Sequence, residues 1–569
     1  MEGKMSYTIG IDFGTLSARA VIVDVLTGEI VSSASADYAH GVLNRELPDG
    51  TPIEPESALQ APGDYIQALV GSVKEAVGLS GLMAEEIIGV GIDATSCTIL
   101  PVDAAGEPMA FHEEYRSQPQ AYIKMWKHHG AAPYAEKLTE AAKEACPDLL
   151  ARFGGNISAE SLFPRMWEMK EKAPRLFAEM DEYMEVADWI VSELTGAKAR
   201  GKRIRGGCAA GYKAYYRPET GFPPKALFNA ARLSRKELLE KLPSPVVPVG
   251  NAAGRLTREM AFELGLAEGI PVAVGMVDAH ASVPACGITS PGELLMIIGT
   301  STCQMLLSEK DLPVPGICGA VPGGILPGYV GYEAGQTSVG DLFAYFVDNY
   351  ITEDIHRAAK DYAFASGRIG GRSKAADVHA YLSALAEKKA PGENGLIALD
   401  WLNGNRSPLC DYALSGMLVG LTQETRPEDI YRALLESTAY GCRTIVENFI
   451  RAGLPVNRIL ASGGISQKNP FAMQLYADIL GVPVEVVPLP VGPAHGSAIF
   501  GAVAAGSSGG SYDSAEEAIR AMGCKERIVY RPVADHVTIY DGLYRKYQRL
   551  CQIFGEEEKD LMHDLRRKI

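Results

Sequence analysis

Residues 7–24 read Tyr-Thr-Ile-Gly-Ile-Asp-Phe-Gly-Thr-Leu-Ser-Ala-Arg-Ala-Val-Ile-Val-Asp. An apolar, β-rich run ends in Asp12, a Gly14-Thr15 turn follows, and a second apolar run begins near Ala18. This pattern predicts a hairpin whose tip carries a carboxylate, a hydroxyl and a glycine that lets backbone amides approach a ligand closely. Amides in such a concave turn hold phosphate, and the carboxylate beside them can hold the accompanying cation. An ordinary hairpin would read the same way. The pattern recurs, however: residues 293–307 read Glu-Leu-Leu-Met-Ile-Ile-Gly-Thr-Ser-Thr-Cys-Gln-Met-Leu-Leu, again strand, turn (Gly299, Thr300, Ser301, Thr302) and strand. Two such hairpins, one opening each half of the chain, predict a duplicated fold that grips one nucleotide between its halves.

A chain of 569 residues is too long for a single core. With 47% hydrophobic and 22% charged residues it has the composition of a globular protein. A net charge of −16 argues against general binding to nucleic acid or anionic membranes, while leaving room for a phosphorylated small molecule. The ten cysteines form no Cys-x-x-Cys pair, which suits buried thiols in a reducing compartment. No apolar leader or bilayer-length apolar run is present, so a cytoplasmic location is expected. Met1 and Met5 could each be a start.

Beyond the opening hairpin, Glu29–Ala36 is expected as a third strand and 42–63 as an exposed excursion. Ile87–Ile92 reads as a buried strand ending in Asp93-Ala94-Thr95-Ser96, either a substrate loop at a strand's carboxyl end or a turn cap. Residues 121–130 look amphipathic, with His128-His129 as a helix-end feature. Lys198–Tyr216 is basic and glycine-rich and is expected as a loop reaching polar ligand groups, Lys213 being its candidate. Pro271–Ala285 predicts a strand running into Asp278, placed as a general base, as a helix cap, or as both. A domain boundary near Cys286–Gly292 divides the chain into 5–287 and 288–569.

In the second half, Glu333 is a carboxylate among small residues that would hydrogen-bond a polyol. Residues 352–389 read as a polar helical insertion and Pro427–Ala452 as a long helix. Gly463-Gly464 ends a strand where a purine or ribose could lie against the backbone. Pro493–Ala505 reads as a small-residue helix, and the tail from His536 as charged, helical and peripheral. No P-loop, protein-kinase His-Arg-Asp or Gly-x-Ser-x-Gly elbow is present.

Ile9–Thr15, Ile298–Cys303 and Ala461–Gly464 resemble the paired phosphate and adenosine motifs of the actin/hexokinase/Hsp70 superfamily. Within it the chain resembles the FGGY carbohydrate kinases over nearly its whole length. Gly416–Leu421 through Asp429, Ile430 and Ala433 is similar to that family's C-terminal pattern, although Leu434 stands where a different apolar residue or Thr is usual. Trp126–His129, Arg203–Lys213, Gly316–Gly319 and Glu333–Gln336 resemble segments of the family's ketopentose kinases. Ala94-Thr95-Ser96 differs from the Gln-Met-His of members that act on D-xylulose.

The resemblance implies an α/β protein of two duplicated ribonuclease H-like (actin-like ATPase) domains with a nucleotide cleft between them. It implies transfer of the ATP γ-phosphoryl group to the 5-hydroxyl of L-ribulose, with D-ribulose or another ketopentose or polyol as the alternative acceptor. Asp278 would accept the hydroxyl proton and Asp12 would hold Mg²⁺. Gly14, Thr15, Gly299, Thr300 and Ser301 would bind phosphate oxygens, and Gly463, Gly464 and Asn469 would seat adenosine. Thr95, Ser96, Lys213, Asp278 and Glu333 would line the sugar pocket, and relatives are typically homodimers. An ATP-gated binding protein of the actin or Hsp70 type would keep both hairpins but need neither Asp278 nor a polyol pocket.

Overall fold

The computed structural model describes residues 5–367 and 374–566. The alternative start Met1, residues 368–373 of the expected insertion and the last three residues of the expected tail lie outside the described residues. Two seven-stranded sheets organise the chain, one drawn from residues 7–277 and the other from 293–530.

In the first sheet, β1 (Tyr7–Phe13), β2 (Ser17–Asp24) and β3 (Ile30–Asp37) form an antiparallel meander. β4 (Ile87–Ala94) then adds parallel to β1. β5 (Ala252–Arg255), β6 (Pro271–Ala273) and β7 (Met276–Val277) complete the sheet, with β6 and β7 parallel to β4 and β5 antiparallel to β6.

The second sheet repeats the scheme. β8 (Glu293–Ile298), β9 (Thr302–Ser308) and β11 (Val330–Gln336) make the meander, with β10 (Gly319–Pro322) on its outer edge. β12 (Arg458–Ser462) is parallel to β8, β13 (Val484–Val486) is parallel to β12, and β14 (Ile528–Tyr530) closes the far edge antiparallel. The shared order of three antiparallel strands followed by two parallel ones is the duplication expected from the paired hairpins. Apolar alternation in β1 and β2 packs one face against α1 (Pro62–Ser80), which opens with proline at its first turn and ends at Gly81 in the left-handed conformation.

Six further helices position the cleft. They are α2 (Leu162–Lys172), α3 (Gly207–Ala214), α4 (Asp278–Ala285), α5 (Pro427–Arg451), α6 (Pro470–Leu480) and α7 (Gly492–Ala505). The small-residue helix α7 lies in sequence between two strands of the second sheet, β13 and β14, yet it packs on the first. A Cβ placed on Gly10 would stand 1.7 Å from the Ala494 carbonyl oxygen, and one on Gly91 1.7 Å from that of Ser497. On its other side Gly496 meets α4 just as closely, 1.7 Å from the Ala281 carbonyl oxygen. These contacts are backbone against backbone and admit only glycine.

Four expectations are corrected. Residues 121–130 form no helix: a short strand, Ile123–Lys124, is followed by turns, because Lys124 and His128 turn inward to a buried carboxylate. The expected loop at 198–216 contains helix α3, and Arg203 and Arg205 are buried on Asp181 and Glu182 instead of reaching a ligand. The tail is not peripheral. Helix α8 (Ala534–Gln552) buries Tyr540, Tyr544 and Tyr547 at helical spacing, and Tyr540 and Tyr547 donate to Glu436 and Asp400. The 42–63 stretch likewise returns inward at Leu59–Gln60, where Gln60 is buried. No helix among the described residues is long and apolar enough to cross a membrane.

Gly91→Ala is expected to force α7 off the first sheet and cost about 3 kcal/mol of stability. Chemical unfolding of the purified variant measures this, and a midpoint equal to that of the unmodified protein would contradict the packing described.

Candidate active site

The site begins where the strand ends of the first sheet converge. Asp12 pairs in register with Asp93 across β1 and β4, and Met276 of β7 lies opposite Asp93. Asp278, two residues on, opens α4, and its Oδ1 accepts from the Ala279 amide at 2.6 Å. Three carboxyls therefore meet at one sheet edge. Burial pushes Asp12 up, against a hydrogen bond from Asp93 and the charge of Arg19. Burial and the Asp12 charge hold Asp93 well above the carboxylate range, which favours its protonated form beside Asp12. Its Oδ2 accepts from Ser497 of α7 at 2.5 Å. Asp278 is half-buried, and burial followed by the Asp12 charge raises it to about 7.

Opposite the carboxyls stands a ring of four charges drawn from both halves of the chain. Lys213, on α3, is 3.4 Å from Glu160 Oε2. Arg406 lies 3.2 Å from Glu333 Oε1 and 4.0 Å from Glu160 Oε2. His280 Nε2 is 3.3 Å from Glu333 Oε2, while its Nδ1 meets Cys208 Sγ at 3.2 Å and its ring stacks on Tyr212. Burial disfavours the Glu333 carboxylate, but His280, Lys213 and Arg406 together hold it well below the usual range. Burial works against Lys213 as well, yet the Glu160 and Glu333 carboxylates keep its pKa well above normal. The ring carries two positive and two negative charges. Such a lining offers both donors and acceptors to the hydroxyls of a neutral polyol.

The scaffold explains why these groups stay put. Tyr212 Oη donates to the Gly331 carbonyl at 2.7 Å, pinning α3 to β11. The Arg406 loop is tied to the same strand by Gly335 N–H to Ser407 Oγ at 3.3 Å, and to the residue after it by Thr337 Oγ1 to the Gly404 carbonyl at 2.9 Å. Cys97 has a left-handed backbone (φ 54°), an unusual conformation for a side-chain-bearing residue. Fully buried Arg165 of α2 donates to the Cys97 carbonyl and to those of Lys124, Met125, Trp126 and His128. One helical turn away, Glu168 receives Lys124 at 2.7 Å, His128 at 2.9 Å and Lys172 at 3.1 Å. Burial opposes its charge, but Lys124 and His128 keep it ionised, while burial presses His128 down to about 4.

Among the residues singled out from sequence, the structure gathers Asp12, Asp278, Lys213 and Glu333 at one cleft. Ser96 Oγ is buried without a partner, whereas the Thr95 hydroxyl is taken by Thr98 at 2.6 Å. Gly14 N–H is bonded to the Ser17 carbonyl and Gly299 N–H to that of Ser301, while Thr300 is exposed at its turn. Cys303, just past this second turn, is close enough to Asp278 to feel its charge. Gly463 (φ 96°) abuts Ile298, where a Cβ would stand 2.6 Å from the carbonyl oxygen, so only glycine fits there. Asn469 caps α6, accepting from Ala472 N–H at 3.0 Å, and its amide donates to Ser383.

Asp93, Glu160, His280, Arg406 and Ser497 were not singled out. Asp93 lay within the loop under suspicion, but the others carry no local motif. A magnesium ion takes most of its ligands from phosphate and water, and half-buried Asp12 beside the Gly14-Thr15 turn suits that arrangement. Among the described residues no group of three His, Cys, Asp or Glu side chains could hold a metal by itself.

The chain matches two family patterns, "FGGY family of carbohydrate kinases, N-terminal domain" over residues 7–284 and "C-terminal domain" over 294–505. It is 46% identical over 544 residues to a ribulokinase of Bacillus licheniformis, covering 95% of this chain and 96% of that one. It is 43% identical to a ribulokinase of Halalkalibacterium halodurans, covering 98% and 97%. In structure it is similar to a xylulose kinase from Rhodospirillum rubrum (TM-score 0.75, 22% identity, 98% and 100% coverage). A gluconate kinase from Lactobacillus acidophilus has the same fold (TM-score 0.78, 15% identity, 98% and 100% coverage).

Glu168→Gln is expected to leave the Lys124 ammonium buried without its counter-ion and to cost about 3–5 kcal/mol. Urea unfolding measures the loss, and an unchanged midpoint would show that the buried cluster does not hold this wall of the cleft.

Proposed function

The chain belongs to the FGGY family of carbohydrate kinases and is an ATP-dependent sugar phosphotransferase, and from that premise we propose that it phosphorylates L-ribulose on the 5-hydroxyl with Asp278 as general base. The observation that carries this reading is the place of Asp278. It lies between the carboxylate expected to meet the metal–nucleotide and the ring of Lys213, Glu333, Arg406 and Glu160, which suits the hydroxyls of a ketopentose. A carboxyl poised near 7 is matched to taking a proton at neutral pH.

Phosphoryl transfer asks the protein chiefly for positioning and charge neutralisation. In this proposal the backbone and hydroxyls of Thr15, Thr300 and Ser301 hold phosphate oxygens, while Gly14 and Gly299, whose N–H groups are spent on the Ser17 and Ser301 carbonyls, shape the two turns. Gly463 and Gly464 give adenosine a flat seat, with Asn469 fixing the helix behind it. Asp12 holds Mg²⁺, which supplies charge neutralisation on the phosphates. Ser96, with its unpaired hydroxyl, and Lys213 and Glu333 orient the sugar, while Thr95 supports the loop through Thr98. The new bond joins the sugar O5 to the γ-phosphorus as the bond to the β-phosphate oxygen breaks. The hydroxyl proton passes to Asp278, and ADP leaves. Closure between lobes 5–287 and 288–569 excludes the water that would otherwise compete with the sugar. A cytoplasmic homodimer accords with the family resemblance, and the ten free cysteines accord with a reducing compartment.

Asp278→Asn is expected to lower kcat by about 10²–10⁴-fold in a sugar-dependent ADP-release assay. It should not unfold the protein. The folded pKa of Asp278 is raised, so its ionisation costs stability that builds as pH rises from the unfolded value of about 4 and is complete above about 7, and the amide removes that cost. For the unmodified enzyme, kcat/KM should rise with pH through about 7 as Asp278 ionises. Near-normal turnover by Asp278→Asn would refute the assigned base. Across L-ribulose, D-ribulose, D-xylulose, ribitol and glycerol, L-ribulose is expected to give the highest kcat/KM; a preference for D-ribulose would overturn the stereochemical assignment alone.

A further inference from the structure

The wall built by Arg165 and Glu168 ends in one side chain that the proposed chemistry does not use. Trp126 lies within the stretch 124–128 whose carbonyls Arg165 grips, its own among them, and its Nε1–H donates to the Thr15 hydroxyl oxygen at 3.2 Å. Of the four tryptophans, Trp167, Trp189 and Trp401 are buried, and only Trp126 is half-exposed. The Lys127 ammonium stands 4.9 Å from its ring centroid. On the other side of Thr15, buried Gln60 donates its amide to the Thr15 carbonyl at 2.9 Å and is itself fixed by Tyr65 at 2.7 Å. The tip of the first hairpin is therefore braced by two groups remote in sequence.

We propose that Trp126 is a positioning residue that sets the direction of the Thr15 hydroxyl, so that its proton points at a phosphoryl oxygen of the bound nucleotide. A threonine hydroxyl has one hydrogen to donate and two lone pairs with which to accept. An indole nitrogen can only donate. Once its N–H occupies one lone pair, the Thr15 proton is confined to the two directions that face away from the ring, and a phosphoryl oxygen at the mouth of the turn selects between them. A donor so confined before the nucleotide arrives needs little reorganisation as charge develops on the phosphoryl oxygens. Arg165 contributes by removing the freedom of the 124–128 backbone, which keeps the indole at hydrogen-bond distance. This inference rests on the reading of the Gly14-Thr15 turn as a phosphate site.

The test compares Trp126→Phe, which keeps a ring but loses the donor, with Thr15→Val, Thr15→Ser and the double variants, all in the full chain. Trp126→Phe should lower kcat for ketopentose phosphorylation about tenfold, the size of one neutral hydrogen bond, with the ketopentose KM unchanged. In the Thr15→Val background the same change should add nothing, because no hydroxyl is left to orient. In the Thr15→Ser background, which retains the hydroxyl, the roughly tenfold loss should return. Additive losses from Trp126→Phe and Thr15→Val would overturn the proposal. So would a raised ketopentose KM at unchanged kcat, which would assign the ring to the sugar pocket. Full activity in Thr15→Val would instead remove the phosphate reading of the turn, and this inference with it.

Discussion

The contact on which the rest of the structure depends is the seam of glycines where α7 lies on the first sheet. Gly10, Gly89 and Gly91 leave no side chains on that patch of β1 and β4, and the carbonyls of Ala494, Ser497 and Gly501 fill the space. Because α7 lies between two strands of the second sheet in the chain, seating it there ties the second half to the first at the base of the cleft. The same helix carries Ser497 to Asp93, so the element that joins the halves also bonds to the carboxyl behind Asp12. Close packing of this kind has no slack: a methyl group at any of the three glycines meets backbone rather than a side chain that could move aside.

Environment divides the labour among the carboxyls. Asp278 and Glu333 are both carboxyls lining one cleft, yet they are pushed in opposite directions. Asp278 is held out of water beside another carboxylate and stands at about 7, where it can take up a proton. Glu333 faces His280, Lys213 and Arg406 and stays ionised, which makes it an acceptor for hydroxyl donors. Pairs of titratable groups whose surroundings drive them apart are how one site supplies both a base and a binding anion. The cost of burying four charges in the ring is offset by their pairing, since an isolated buried charge would lose far more in desolvation.

The duplicated order of the sheets was legible because strand–turn–strand with glycine at the tip is written locally, and it occurs twice. The small residues of 493–505 announced a tightly packed helix but not the sheet it packs on. The errors have a common origin. At 121–130 the amphipathic pattern suggested a helix with a wet face, but Lys124 and His128 face inward to Glu168, 44 and 40 positions further along the chain. At 198–216 the basic run suggested a ligand-facing loop, but Arg203 and Arg205 are paired with Asp181 and Glu182 inside the fold. In the tail, Tyr540, Tyr544 and Tyr547 were hidden among charged neighbours. Burying a charge is tolerable only with a partner, and the partner is set by tertiary contact.

By itself the sequence determined the elements whose information is local: the two hairpin tips, the strand running into Asp278, and the strand that ends at Gly463-Gly464. Turn conformation and strand periodicity depend on a few adjacent residues and survive without knowledge of the fold. Only the tertiary structure decided which charges meet. Glu160 and Arg406 are 246 positions apart, and Asp93 and Ser497 are 404 apart, yet each pair is in contact. Electrostatic energy depends on distance and on exclusion of water, and neither quantity is carried by residue order.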